Sequence, residues 1–118
     1  MMNVAEVRVC RAGQPLHTLH LAQAFNLWQR ARGLLGRPQP APKQGLWLRP
    51  CNAVHGWFMG YALDLLYLSR SGEVLGIVEG FAPWQMSAWR GAHSVVELAA
   101  GECQRLQIRV GDSLQCVQ

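Results

Sequence analysis

The chain has 118 residues, half of them apolar, and a formal charge of +4, which suits one domain burying its own core without metal or disulfide staples. Mean hydropathy is near zero, and the apolar runs are short and broken by Gly, Asp, Glu or Arg, which excludes the ~20-residue span of a membrane helix. No acidic residue stands between Glu6 and Asp64, where Arg8, Arg11, Arg30, Arg32, Arg37, Lys43 and Arg49 all fall, so the first half is basic and the second mildly acidic.

In chain order, the alternation from Asn3 to Cys10 predicts a strand with one wetter face. Ala12-Gly13-Gln14-Pro15 reads as a turn, and Leu16 to Ala22 as its hairpin partner. From Ala24 the period lengthens, with Phe25, Trp28, Ala31, Leu34 and Leu35 on one side, which predicts a short amphipathic helix capped by Gly36 and stopped by Pro38. Gly33 inside it marks close packing or a frayed end. The three prolines from Arg37 to Gln44 make an extended loop. Gly45 to Arg49 is a strand, Cys51 to Gly60 a loop or short distorted strand, and Tyr61 to Leu68 a central strand covered on both faces. A Ser69–Gly72 turn leads to a strand from Glu73 to Phe81, with Gly76 and Gly80 as points of bulging or close approach. Pro83 to Ala92 is an apolar loop placed to fold over a pocket mouth. A strand from about His93 to Leu98, helical turns over Gly101–Leu106 and a last strand Leu114–Val117 complete the chain. The expectation is a single mainly β domain over residues 1–118, a sandwich or distorted barrel of six or seven short strands with one amphipathic helix and a second helical turn near the C-terminus.

Cys10, Cys51, Cys103 and Cys116 form no C-x-x-C pair, which argues against a zinc ribbon or a thioredoxin-like motif and for four reduced thiols. Pairing of the terminal strands would bring Cys10 and Cys116 near one another, a geometry that spacing leaves open. The opening MMNVAEVRVC has no h-region or cleavage site, so the sequence as given reads as cytoplasmic. The basic half, with Trp28, Trp47 and Trp57 interleaved, could face nucleic acid or anionic lipid. Because its spacing is loose and no nucleic-acid motif accompanies it, a solvated basic face is the expected reading, and nucleic acid is not expected as a partner.

Two constellations carry chemistry. Cys51, His55 and Met59 recur every four residues and offer a thiolate, an imidazole and a thioether, soft ligands that suit copper(I). The segment would have to fold back for all three to meet, since in a strand neighbours four apart stand about 13 Å from one another. In their structural reading Cys51 and Met59 are core and His55 bonds a backbone carbonyl. Asp64 and Glu97 are carboxyls inside apolar strands, where each needs a partner or a shifted pKa. Facing one cleft they could do acid–base work; the expected role is structural, with loop amides or an arginine as partner, Arg37 foremost because it follows the helix that must dock on the sheet.

The motifs ARGLLGR (Ala31–Arg37), GLWLRPCNAVHGWFM (Gly45–Met59), LDLLYL (Leu63–Leu68), SGEV (Ser71–Val74), VVELAAG (Val95–Gly101) and VGDSL (Val110–Leu114) stand in an order that resembles the bacterial and archaeal family named domain of unknown function 192. The resemblance spans nearly the whole chain and implies a small mainly β domain, sometimes behind an export signal, with no established activity. It also implies departures, with Gly60 and Ala62 standing where the family tends to have a basic residue and a proline. No motif fixes a reaction, so the expected function is a non-enzymatic binding or accessory module for a protein or small-molecule partner. Its recess is expected from Trp47, Trp57, Phe58, Trp84 and Trp89, with His55, Trp57, Asp64, Trp84 and Arg37 as ligand-binding residues. The alternatives are a copper or zinc protein using Cys51, His55 and Met59, and an anionic-polymer binder using the basic half.

Overall fold

The computed structural model describes residues 2–117, in which nine strands and two short helices follow one another as β1 (Val4–Arg11), β2 (Gln14–Ala24), α1 (Leu27–Arg32), β3 (Gln44–Leu48), β4 (Ala53–His55), β5 (Leu63–Leu68), β6 (Val74–Phe81), β7 (Met86–Ala88), β8 (Ser94–Ala99), α2 (Glu102–Arg105) and β9 (Ser113–Cys116). Seven of the strands form one sheet in the order β6-β5-β8-β3-β2-β1-β9, and β4 pairs with β7 in a separate ribbon. The mainly β architecture matches the sequence. The ribbon strands lie in the two stretches that lack clear periodicity, which is why they add to the six or seven expected. Among the described residues no helix is long and apolar enough to cross a membrane.

The sheet curls until its two edges touch at one bridge, Glu73 to Ser113, with Leu114 N–H bonded to Gly72 O at 2.8 Å and Val74 N–H to Asp112 O at 2.8 Å. It stops short of a closed barrel. Asp112 fastens this junction from within: its carboxylate, buried in the fold, accepts from Arg11 Nε at 2.8 Å and Nη2 at 2.9 Å and from Arg109 N–H at 2.8 Å.

Strand direction decides where a site can form. Pairing of β2 with β3 is parallel, and β3 and β5 each pair antiparallel with β8, so β2, β3 and β5 all run the same way. A chain that leaves one strand and enters the next in the same direction must cross back over a face of the sheet. Two such crossovers join these three strands, residues 25–43 carrying α1 and residues 49–62 carrying β4; a third, residues 82–93 carrying β7, joins β6 to β8, which are both antiparallel to β5.

The two faces have separate cores. Leu66, Leu68, Val96 and Leu98 pack with Val7, Val9, Leu19, Leu21, Trp47 and residues of the α2 region on one side. Leu63, Leu65, Tyr67 and Val95 pack with Leu46, Leu48, Leu34 and Phe81 on the other. Asp64 stands opposite Leu98 in the register and Glu97 opposite Leu65. Because successive side chains alternate between faces, the two carboxyls lie on opposite sides of the sheet, and the expectation that they could share one cleft is corrected.

Two further expectations change. The amphipathic helix is only six residues long and buries none of them, with Leu27 and Trp28 among the most exposed apolar residues. Asn26 caps its start by accepting from Gln29 N–H at 2.9 Å, and Gly33, at φ +54°, ends it in place of Gly36. Leu34, just past the cap, carries the burial that the helix lacks. Arg37 does not pair with Asp64, whose oxygens accept from the N–H groups of Gly80, Gly101 and Cys103, each at 3.0 Å. The terminal strands pair with Cys10 facing Ser113 and Cys116 facing Val7, three residues or about 10 Å out of step, and the four cysteines stand free as their spacing predicts.

Candidate functional site

Between the first two crossovers a small cleft opens onto the sheet, lined by Arg30–Leu35 on one side, by Cys51, Ala53, Val54, His55, Trp57 and Met59 on the other, and floored by Leu48 and Glu97. Its volume is about 70 Å3, well under the ~300 Å3 at which a pocket encloses a drug-sized ligand. The cleft therefore admits only the head of a larger molecule.

Glu97 is the chemical centre of the cleft. Strand β8 places it between Leu46 of β3 and Leu65 of β5, only 5 % of its surface is exposed, and its Oε1 has no hydrogen-bond partner among the described residues. Burial pushes its pKa from 4.5 up to about 7, because an ionised carboxylate loses its hydration there and receives nothing in return. Gly33 stands over this oxygen: a Cβ at that position would come within 3.9 Å of Oε1.

Around Glu97 the walls are apolar and polar in similar measure, and two of the soft side chains, Cys51 and His55, already hold hydrogen bonds. Cys51 Sγ donates to Ala53 O at 3.0 Å. Burial raises its pKa, offset by that backbone contact, and the negative field of Glu97 raises it further against the pull of Arg30. The residue is therefore held as a thiol. His55 is exposed, lies 4.9 Å from the Trp57 ring, and accepts Trp57 N–H at Nδ1, 3.3 Å away. That bond takes the one lone pair of the neutral imidazole. Arg30 supplies a cation at the rim, where its Nη1 donates to Arg49 O at 3.4 Å.

Of the predicted site residues, the fold gathers Cys51, His55, Met59 and Trp57 in this cleft and leaves the others outside it. Asp64 is on the opposite face and saturated by backbone amides. Arg37 lines a separate shallow depression with Pro38 and Pro40, its Nε buried without a partner. Trp84 stacks edge-on against Phe58, ring centres 4.7 Å apart, with both rings exposed. Trp47 is core, and Trp89 stacks on Tyr67 at 5.6 Å. The five aromatics thus occupy separate settings rather than one concavity, and only Trp57 lines the cleft. Among the described residues no group of three or more His, Cys, Asp and Glu is placed to hold a metal ion.

Sequence reasoning singled out Glu97 as a carboxyl in an apolar strand and paired it with the wrong face. It named Gly33 only as a point of close packing or fraying and Arg30 only among the basic-half cations; their approach to Glu97 depends on how the first crossover lies. The available signal for Gly33 was a glycine in a helical pattern, which is also what a cap looks like.

Comparison with known proteins supports the fold without adding an activity. A candidate transcription regulator from Sinorhizobium meliloti 1021 is 27% identical, with a TM-score of 0.89 over 98% of this chain and 95% of that one. A protein of unknown function from Novosphingobium aromaticivorans DSM 12444 shares the fold at 20% identity, with a TM-score of 0.86 over 97% and 86% of the two chains. No curated protein matches. The model of domain of unknown function 192, described as "Uncharacterized ACR", matches residues 7–116, and with nearly the full length covered the chain belongs to that family.

Proposed function

We propose that this protein is a non-enzymatic binding module that takes the tip of a ligand between its first two crossovers, where a neutral N–H or O–H donor meets Glu97. The observation that carries the reading is the buried Oε1 without a partner at the floor of a cleft. An unpaired buried acceptor costs on the order of 1–3 kcal/mol, and a donor-bearing ligand would recover it. The apolar part of the lining, Leu34, Leu48, Val54 and Met59, accommodates a small apolar body, and the arginines at the rim disfavour a full cation. A carboxamide fits both ends, its N–H directed to Glu97 and its carbonyl to Arg30 or Arg32.

The test is an amide-detected NMR titration with small carboxamides, alcohols and alkylammonium ions. Carboxamides should shift the backbone signals of Glu97, Cys51, Val54 and His55. Glu97→Gln keeps an acceptor and should retain binding within a few-fold, whereas Glu97→Leu should abolish it. Binding unchanged in Glu97→Leu would sink the reading, and binding of ammonium ions alone, lost in both variants, would replace the neutral donor by a cation.

A second reading, copper(I) held by Cys51, His55 and Met59, has one observation in its favour: all three line the same cleft. It requires the thiol to lose its proton and His55 Nδ1 to give up Trp57 N–H or the ring to change tautomer. Copper(I) titration against a chromophoric chelator should then show one equivalent, absent from the His55→Ala, Met59→Ala double variant. The regulator role in the name of the Sinorhizobium meliloti protein is not carried over, since α1 and α2 span only six and four residues, too short to lie along a major groove as reading helices do.

A further inference from the structure

A second cavity of about 220 Å3 lies between the end of β3, the β5–β6 hairpin and β9, lined by Trp47, Arg49, Ser69–Gly72, His93, Ser94 and Leu114–Cys116. It shares no residue with the cleft above Glu97. Its lining contains two arginines, a histidine and three serines but no acidic side chain. Glu73, next in the chain after Gly72, is exposed and does not line it.

The position of Arg49 is fixed by stacking. Its Cζ stands 4.3 Å from the centre of the Phe25 ring and 5.0 Å from that of Trp47, and those two rings meet edge to face at 5.7 Å. Stacking engages the faces of a guanidinium and leaves its in-plane N–H donors free. Among the described residues none of these donors has a hydrogen-bond or carboxylate partner, while the carboxylates of Asp112 and Glu102 are taken by Arg11 and Arg105. Arg70, exposed at the hairpin tip, is likewise without an ion pair. Trp47 adds an independent sign: 95% buried, it lines the cavity, and its Nε1–H has no acceptor. Around these groups the walls are firm. His93 N–H bonds Leu68 O at 2.8 Å, its own carbonyl accepts from Cys51 N–H at 2.9 Å, and Gly72 packs directly on the Leu114 backbone.

A cavity walled by preorganised donors and cations, with an acceptor missing, is complementary to an anion rich in acceptor oxygens. We infer that this cavity is a binding site for a small oxyanion, a phosphate group borne on a small organic body. A phosphate supplies acceptors in several directions for Arg49, Arg70 and the serine hydroxyls at once, as a planar carboxylate does not. The volume, several times the ~30 Å3 share of one water, leaves room for a substituent.

The probes are inorganic phosphate, phenyl phosphate and acetate, titrated at constant ionic strength set by chloride and read by two-dimensional NMR of backbone, arginine side-chain and indole N–H signals. Phosphate should shift Arg49, Trp47 Nε1–H, Ser71 and His93 together and saturably, and phenyl phosphate should bind several-fold more tightly. Arg49→Gln should weaken binding at least ten-fold. Because Arg49 also packs on two rings, Arg70→Gln is the second variant; its exposed side chain leaves the fold intact, and it should weaken binding at least three-fold. Three outcomes overturn the inference: equal binding in wild type and both variants, shifts spread over Arg30, Arg32 and Arg109 without saturation, or acetate binding more tightly than phosphate.

Discussion

Asp64 and Glu97 are both acids in the middle of apolar strands, buried and adjacent in register, and the protein treats them in opposite ways. Asp64 receives three backbone N–H groups, whereas Glu97 keeps one oxygen bare. Asp64 ties β5 to Gly80 at the end of β6 and to the turn that begins α2, so its two oxygens organise chain 16, 37 and 39 residues away. Asp64→Asn turns an acceptor into a donor facing these N–H groups. We expect urea denaturation to show a loss of about 2–4 kcal/mol; a loss under 0.5 kcal/mol would mean that the amides find other acceptors. LDLLYL and VVELAA look alike as sequences, and both announce an acid that must be satisfied. Which acid is satisfied depends on loop amides remote in the chain, and no local pattern records them.

At the scale of elements, the ribbon β4–β7 forms a cleft wall without any backbone pairing to the main sheet, so side chains must hold it down. Tyr67 does so twice: its hydroxyl donates to Ser87 Oγ on β7 at 2.7 Å, and its ring stacks under Trp89. Trp89 in turn lies directly on Gly76 of β6, where any Cβ would collide with the indole. Gly76→Ala should therefore lift Trp89 and loosen the ribbon, seen as a red-shifted tryptophan emission and faster hydrogen exchange at Gly56 and Trp89, whose N–H groups bond Gln85 O and Asn52 O. Unchanged exchange at both would show that Tyr67 and Ser87 suffice alone. The sequence does mark Gly76 as a point of close approach, although nothing in it names the partner. The strands of the main sheet are legible because alternation reports burial on a sheet face. The ribbon is not, since its three-residue strands are too short to alternate. The helix misleads for the reverse reason: Phe25, Trp28, Ala31, Leu34 and Leu35 keep a helical period, yet only the residues flanking the helix reach the core.

Across the whole molecule, opposing titrations set the pH of greatest stability. Burial works to raise the pKa of Asp112, and the Arg11 guanidinium on both its oxygens outweighs that; Glu102 is lowered by Arg105. Groups depressed in the folded state contribute stability above their ordinary values that disappears as pH falls. Glu97 acts in the other direction. The unfolded chain releases this proton near 4.5 while the folded chain holds it to about 7, so stability declines as pH rises between those values and stays lower above them. The protein should melt highest close to pH 4.5–5, an acidic optimum for a basic protein. Glu97→Gln should remove the decline and be up to about 3 kcal/mol more stable than wild type at pH 8. Parallel melting curves for the two proteins from pH 4 to 8 would show that Glu97 ionises freely.

The common direction of β2, β3 and β5 has one further outcome. Both strips of chain that flank Glu97 are secured to the sheet at each end, like straps rather than flaps, so neither can swing aside to swallow a guest. Whatever the protein recognises there it knows by the tip alone. The remainder stays outside, in water or against the exposed rings of Trp57, Phe58 and Trp84, free to be long, branched or part of another macromolecule.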